Sequence, residues 1–251
     1  MLGQLYYPTG KALETAQQVL EIDNPMACNM AYGCPNMCDY CYVPFIKKGH
    51  VRLPKENPIK LVTEQLENGL KPKGVFLSFA TDPFIKVNIK STMRILEILT
   101  HNKIRVATLS KVDGILINMN HPVRTGMTIV SDNDEFSKRF EPNALPNSRR
   151  IEILKDIHHI GNYTWVSLEP FVTPNIFEQS LVKLLSKIDF VDFIIFGKLN
   201  YDKRANNPEF YKKMVTIFDK YCDEQGIRHF VKSETRQFIN INQIHDVLGV
   251  Y

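Results

Sequence analysis

The sequence predicts an α/β fold, a single partial (β/α)6-type barrel of parallel strands behind a short N-terminal extension. Three observations carry this. Runs such as Gly74-Val75-Phe76-Leu77-Ser78-Phe79 and Phe193-Ile194-Ile195-Phe196 are nearly continuous in apolar residues, as strands covered on both faces are. Amphipathic stretches alternate with such runs along most of the chain, the βαβα order of a parallel sheet. The most chemically versatile residues come directly after the strands, where a barrel of the TIM type carries its site.

Residues 1–24, with a helix-like segment at 11–21, read as an extension, and 25–251 as the barrel domain. Strands are expected at 26–30, 74–79, 104–108, 126–130, 163–168, 193–196 and 229–231. The first helix, 58–69, has Pro58 at its opening, Leu61, Val62, Leu66 and Leu70 at helical spacing, and Gly69 where a C-terminal cap belongs. Others are expected at 91–101, 147–160, 175–188 and 209–225. In 175–188, Ile176, Phe177, Leu181, Leu184, Leu185 and Ile188 make one apolar face. After the strands come, in order, a cysteine-rich segment, Thr81-Asp82-Pro83, Ser110-Lys111, Ser131-Asp132, Glu169-Pro170 and Gly197-Lys198. No repeat, low-complexity tract or long linker interrupts them.

At 251 residues, 44% hydrophobic and 23% charged, the composition excludes a disordered or fibrous chain. No apolar run approaches the ~20 residues that span a bilayer. The first eight residues lack the basic segment and apolar core of a signal peptide, so a cytoplasmic location is expected, with no membrane partner. Thirty-one Lys+Arg against 27 Asp+Glu leave a net charge of +4. That admits nucleic acid as a partner without requiring it.

Cysteine is more informative. Of five, Cys28, Cys34, Cys38 and Cys41 crowd one short segment, and Cys222 stands apart. An odd number bunched at one place points to metal or redox chemistry rather than a disulfide framework. Cys34-x3-Cys38-x2-Cys41 sets three thiols on one loop able to wrap an iron–sulfur cluster, leaving one iron of a four-iron cube open. Two other arrangements compete: a structural zinc site in a binding protein with Cys28 as fourth ligand, and cysteines that simply pack.

The cysteine spacing after a first strand, with an aromatic residue before the last cysteine, resembles the radical S-adenosylmethionine (SAM) superfamily. The wider context resembles its branch of spore photoproduct lyases and DNA repair photolyase-like proteins. The matching stretches are Tyr32-Gly33-Cys34-Pro35-Asn36-Met37-Cys38-Asp39-Tyr40-Cys41-Tyr42, Ala80-Thr81-Asp82-Pro83-Phe84, Leu109-Ser110-Lys111 and Arg139-Phe140-Glu141-Pro142, in that order. The resemblance implies a [4Fe–4S] cluster held by Cys34, Cys38 and Cys41, with SAM on the open iron. It implies reductive cleavage of SAM to a 5′-deoxyadenosyl radical that takes hydrogen from a substrate, and a reducing partner such as flavodoxin or ferredoxin.

It also implies roles for single residues. Tyr40 would lie beside adenine, and Ser78, Phe79 and Ala80 would meet the methionine amino group. Lys111 would pair with the methionine carboxylate. Thr128, with Ser131 as its alternative, would touch ribose. Asp82 and Glu169 are strand-end carboxylates suited to ribose or substrate, or to capping a helix. Glu141 reads as structural. Tyr42 matches a tyrosine of the lyases' hydrogen relay. The lyases' hydrogen-donating cysteine is Ala80 here, with Cys28 as a substitute if it faces the barrel, and Cys222 reads as inert. Too few cysteines remain for a second cluster.

The substrate expected is nucleic acid or a nucleotide. Lys47, Lys48, Arg52, Lys55, Lys60, Lys71 and Lys73 make one stretch basic, and Arg149, Arg150, Lys198, Lys203 and Arg204 follow later strands. Tyr42, Phe45, Phe84 and Tyr201 are candidates to stack a base.

Overall fold

The structure, a computed structural model, describes residues 2–43, 49–112 and 123–238. Its strands are β1 (Leu5–Tyr6), β2 (Met26–Cys28), β3 (Gly74–Leu77), β4 (Arg105–Ser110), β5 (Val123–Thr128), β6 (Thr164–Phe171), β7 (Phe193–Lys198) and β8 (Arg228–Val231). They form one sheet in sequence order, parallel from β2 to β8, with β1 antiparallel on β2. β1 and β8 are its edges, so the barrel is open.

Strand alternation separates two cores. Val75, Leu77, Val106, Met127, Val166 and Ile194 turn outward, under helices that include α3 (Ile89–His101), α5 (Asn147–His159), α6 (Leu181–Ile188) and α7 (Pro208–Gln225). Ala27, Phe76, Ala107, Trp165, Phe193 and Ile195 turn inward, against Ala16, Val19 and Leu20 of α1 (Gly10–Leu20). A helix therefore occupies the lumen. Its last carbonyls, which no helical N–H can satisfy, accept from arginines at the strand starts: Gln18 from Arg228 (2.7 Å), Val19 from Arg124 (2.6 Å) and Leu20 from Arg105. At the other end, Lys232, just after β8, donates to the Lys11 carbonyl (3.0 Å) and Thr15 Oγ1 (2.8 Å) and pairs with Glu14 (2.8 Å). So α1 runs against the strand direction, and its first turns reach the strands' C-terminal ends.

α2 (Pro58–Glu67) opens with Asn57 accepting from Ile59 N (2.9 Å), and Gly69 follows it at φ +92°. Leu70 N then reaches the Gln65 carbonyl (3.0 Å), the closing turn expected of that glycine. Two expectations change. The segment 175–188 is not one helix: Ile176 and Phe177 N–H groups bond the Thr173 carbonyl in a separate turn, and α6 begins only at Leu181, capped by Ser180. The short helix α4 (Asp134–Phe140), capped by Asn133, lies outside every segment expected to be helical.

Gly126 faces the indole of Trp165. A Cβ there would fall 2.1 Å from Trp165 Cε2. With α1 behind the ring, the indole has nowhere to retreat, so Gly126→Ala is expected to lower stability by about 3 kcal/mol, read as a shift of the urea midpoint.

Candidate active site

A cavity of about 300 Å³ opens at the strands' C-terminal ends. The cysteine loop forms its rim, tied down at several points. Gly33 N donates to the Ala80 carbonyl (2.9 Å) and Thr81 Oγ1 to the Gly33 carbonyl (2.7 Å). Asp39 N reaches the Phe140 carbonyl (2.8 Å), and Asn143 Nδ2 the Pro35 carbonyl (2.8 Å). Met37 takes a left-handed conformation at φ +55°, which turns the chain between the first two thiols.

Cys34, Cys38 and Cys41 all line this cavity. Burial pushes the Cys34 thiol up to about 11 and raises Cys38 as well. Soft cations favour such thiols as thiolates, with release of their protons. Among the described residues no three His, Cys, Asp or Glu side chains gather tightly enough for a single metal ion. Cys28 is fully buried in the outward core with Met26, Met30 and Leu77, and is not among the cavity residues. It completes no four-cysteine zinc site with the loop and has no path to a substrate. Three thiols facing a cavity without a fourth suit a larger cluster with one corner open.

Tyr40 anchors the middle of the loop. Its hydroxyl donates to Glu141, and its ring lies 6.3 Å from that of Phe136. Glu141 is paired with Arg150, and both are fully buried. Every N–H of that guanidinium is taken: Nε by the Leu145 carbonyl (2.7 Å), Nη1 by the Thr128 carbonyl (2.6 Å) and Glu141 (3.3 Å), Nη2 by Glu141 and Ser137 Oγ (3.4 Å). Arg150, expected to meet phosphate, is instead a structural tie from β5 to the cysteine loop. Desolvation opposes the charge on Glu141, but Arg150 and Lys111 win and its pKa is lowered.

Lys111 lines the cavity with its Nζ 5.2 Å from the centre of the Tyr40 ring. Desolvation works to lower its pKa, yet the charges of Cys38 and Glu141 leave it raised, and the side chain cationic. Asp82 also reaches the cavity, but its carboxylate is spent on the protein. It accepts from Ser110 Oγ (2.9 and 3.1 Å), Lys111 N (2.8 Å) and Phe84 N (3.0 Å). It binds the end of β3 to the end of β4 and is a positioning residue, not a free acceptor for ribose.

Ser78 and Ala80 line the same wall. Asn29, which the sequence reading passed over, organises them: its Oδ1 accepts from Ser78 Oγ (2.9 Å), Phe79 N (2.8 Å) and Ala80 N (3.0 Å). No motif marks a lone asparagine after a strand. Thr128 lines the cavity from β5. Ser131 does not; it is fully buried and its hydroxyl accepts from Asn133 N (3.2 Å), closing its own turn. Tyr42 is 59% exposed at the rim and donates to the Phe79 carbonyl (2.5 Å). Glu169 lines the cavity from β6. Phe84 is buried in the outward core, out of reach of a base, whereas Tyr201 is 85% exposed. Arg204 is tied to Asp202 (2.6 Å) and Lys60 to Glu64 (3.6 Å) on the surface. Phe45, Lys47 and Lys48 lie outside the described residues.

No family model matches the chain. Two curated proteins are similar in sequence: an uncharacterized protein of Methanocaldococcus jannaschii, 26% identical over 78% of this chain and 82% of its own, and an uncharacterized protein of Acidianus two-tailed virus, 23% identical over 82% and 77%. Among solved structures, spore photoproduct lyase complexed with dinucleoside spore photoproduct superposes with a TM-score of 0.60 at 16% identity, covering 82% of this chain and 76% of that one. A variant of that lyase with bound AdoMet and dinucleoside spore photoproduct gives 0.62 at 15% identity, over 84% and 76%. Streptococcus suis SuiB bound to S-adenosylmethionine gives 0.56 at 12% identity, over 80% of this chain and 45% of that one. The likeness read from the cysteine loop and its companion motifs therefore holds at the level of fold: over most of its length the chain follows the fold of spore photoproduct lyase.

Proposed function

We propose that this protein is a radical SAM enzyme of the photoproduct-lyase-like kind, acting on nucleic acid or a nucleotide. The observation that carries the reading is that Cys34, Cys38 and Cys41, and no fourth cysteine, face one cavity that the half-buried Lys111 also lines. When bound there, a [4Fe–4S] cluster with SAM would supply a 5′-deoxyadenosyl radical able to take a hydrogen atom from substrate. The chain's own residues do the rest. Lys111 offers a fixed cation to the SAM carboxylate, and Ser78 Oγ and Thr128 offer hydroxyls to its polar groups. Asp82 and Asn29 hold the strand ends that carry Lys111 and Ser78, and Arg150 holds the end of β5 at Thr128. Tyr42 stands at the rim where a substrate enters.

Ala80 occupies the position of the lyases' donor cysteine, and the two spare thiols, Cys28 and Cys222, are both fully buried away from the cavity. The proposed reaction therefore returns no hydrogen atom from a protein thiol, which separates it from spore photoproduct repair.

Anaerobic reconstitution with iron and sulfide tests the reading. A brown protein bleached by dithionite, yielding 5′-deoxyadenosine from SAM, supports it; a colourless protein carrying stoichiometric zinc sinks it. Lys111→Ala is expected to keep the visible absorbance and weaken SAM binding at least tenfold, measured by equilibrium dialysis.

A further inference from the structure

The cavity has two sides. β3, β4 and β5 present the groups assigned above to SAM. β6, β7 and the residues after them present Glu169, Lys198, Asn200 and Tyr201, with Lys11 and Thr15 of α1 as floor.

Glu169 is the unusual member. Its side chain lies across Gly197 of the neighbouring strand, where a Cβ would come within 2.7 Å of the carboxyl carbon. That glycine is what seats it. Among the described residues no lysine or arginine nitrogen pairs with it, and its one hydrogen bond, from Asn200 Nδ2, is long at 3.5 Å. The nearby lysines are committed elsewhere: Lys232 to Glu14, Thr15 and the Lys11 carbonyl, Lys11 to Glu234 (2.5 Å). Desolvation raises its pKa, against the opposing charges of Lys232 and Lys11. A half-buried carboxyl that faces the cavity with both oxygens underused is a ready acceptor for a donor that displaces its water.

The surroundings narrow the donor. Lys198 makes no ion pair among the described residues and is placed for a phosphate, with its Nζ 5.8 Å from the Phe238 ring centre. Tyr201 stands exposed at the mouth, with Lys11 Nζ 5.2 Å from its ring centre on one side, and leaves the other face for a base to stack on. Together they outline a nucleotide: phosphate, stacked base, and a base edge against a carboxylate. Two parallel N–H bonds satisfy a carboxylate best. Guanine supplies adjacent donors at N1 and N2. Adenine and cytosine present one amino group beside an acceptor, and thymine one N–H between two carbonyls that repel a carboxylate.

We infer that the side of the cavity formed by β6, β7 and α1 is a subsite for a guanine-type base, with Glu169 seated by Gly197 as its reader and Lys198 as its phosphate contact. The inference rests on the nucleotide reading above and sharpens it, since it turns the site away from thymine.

The test is equilibrium dialysis of the reconstituted, SAM-loaded protein with guanosine monophosphate and with thymidine monophosphate. Guanosine monophosphate is expected to bind at least tenfold tighter, the discrimination a good bidentate pair provides. Glu169→Gln should erase most of that difference while leaving SAM affinity unchanged, and Lys198→Ala should weaken both nucleotides alike. Equal affinities, no binding of the guanine nucleotide, or a Glu169→Gln protein that still discriminates overturns the inference. So does a fall in SAM affinity in that variant, which would place Glu169 with SAM. Visible absorbance and SAM cleavage, measured on the same samples, distinguish the two levels. If both are present without base discrimination, only the subsite fails; if both are absent, the enzymatic reading fails with it.

Discussion

Cys34→Ala is expected to abolish the visible absorbance of the reconstituted protein and reduce SAM cleavage to background while leaving the fold in place. The thiol lines the cavity and stands half-buried on a loop held by other groups, chiefly Gly33, Asp39, Tyr40 and Asn143. Two remaining thiolates cannot hold three corners of a cube. Cys28→Ala is the matched control. Its side chain belongs to the outward core, so the variant should lose some stability and keep full absorbance. If Cys28→Ala and Cys34→Ala lose metal together, a closed four-cysteine site is present and the proposed function is wrong. Circular dichroism on both variants separates loss of metal from loss of structure.

Arg150→Met should destabilise the protein by about 4 kcal/mol, because it strands the Glu141 carboxylate in the interior without its partner. Glu141→Leu should cost a similar amount for the reciprocal reason. The double variant is expected to lose less than the sum, since it removes both charges and leaves neither unpaired. Denaturant midpoints of the four proteins form the cycle; strict additivity would show that the pair is not a unit. The lowered pKa of Glu141 adds a pH signature. Its contribution is fully present above the ordinary carboxylate value of 4.5 and is lost as pH falls through the lowered folded value. The double variant should lack that acid-dependent loss. Tyr40 hydrogen-bonds to Glu141, so both single variants should also loosen the cysteine loop and slow its loading with iron.

The sequence reading found every parallel strand because each is a local pattern: a run of three to eight residues, apolar on both faces in β3 and most of β7, bounded by breakers. It missed β1, two residues long, whose only signal is its pairing with β2. It extended α6 backward over Ile176 and Phe177 because their spacing continues the apolar face of Leu181–Ile188. Their burial is real, but Ile176 enters a separate cluster with Val130, Phe136 and Leu199. Charge was read least well. Arg149 and Arg150 are adjacent in the chain, yet one is exposed beside Glu152 and the other has no solvent contact. Nothing local distinguishes them.

The sequence alone determined the order of the elements, the parallel open-barrel architecture, and a loop of three cysteines after the first barrel strand. All of these are written in neighbouring residues. Only the tertiary structure decided that α1 fills the lumen, that Asp82 and Arg150 serve the scaffold, that Cys28 stands apart from the loop, and that Glu169 has no firm partner among the described residues. Each of those outcomes depends on groups brought together from distant parts of the chain. Arg228 reaching Gln18 across 210 positions is the plainest case. A side chain's type records what it is able to bond; only its folded surroundings settle whether that capacity is already spent.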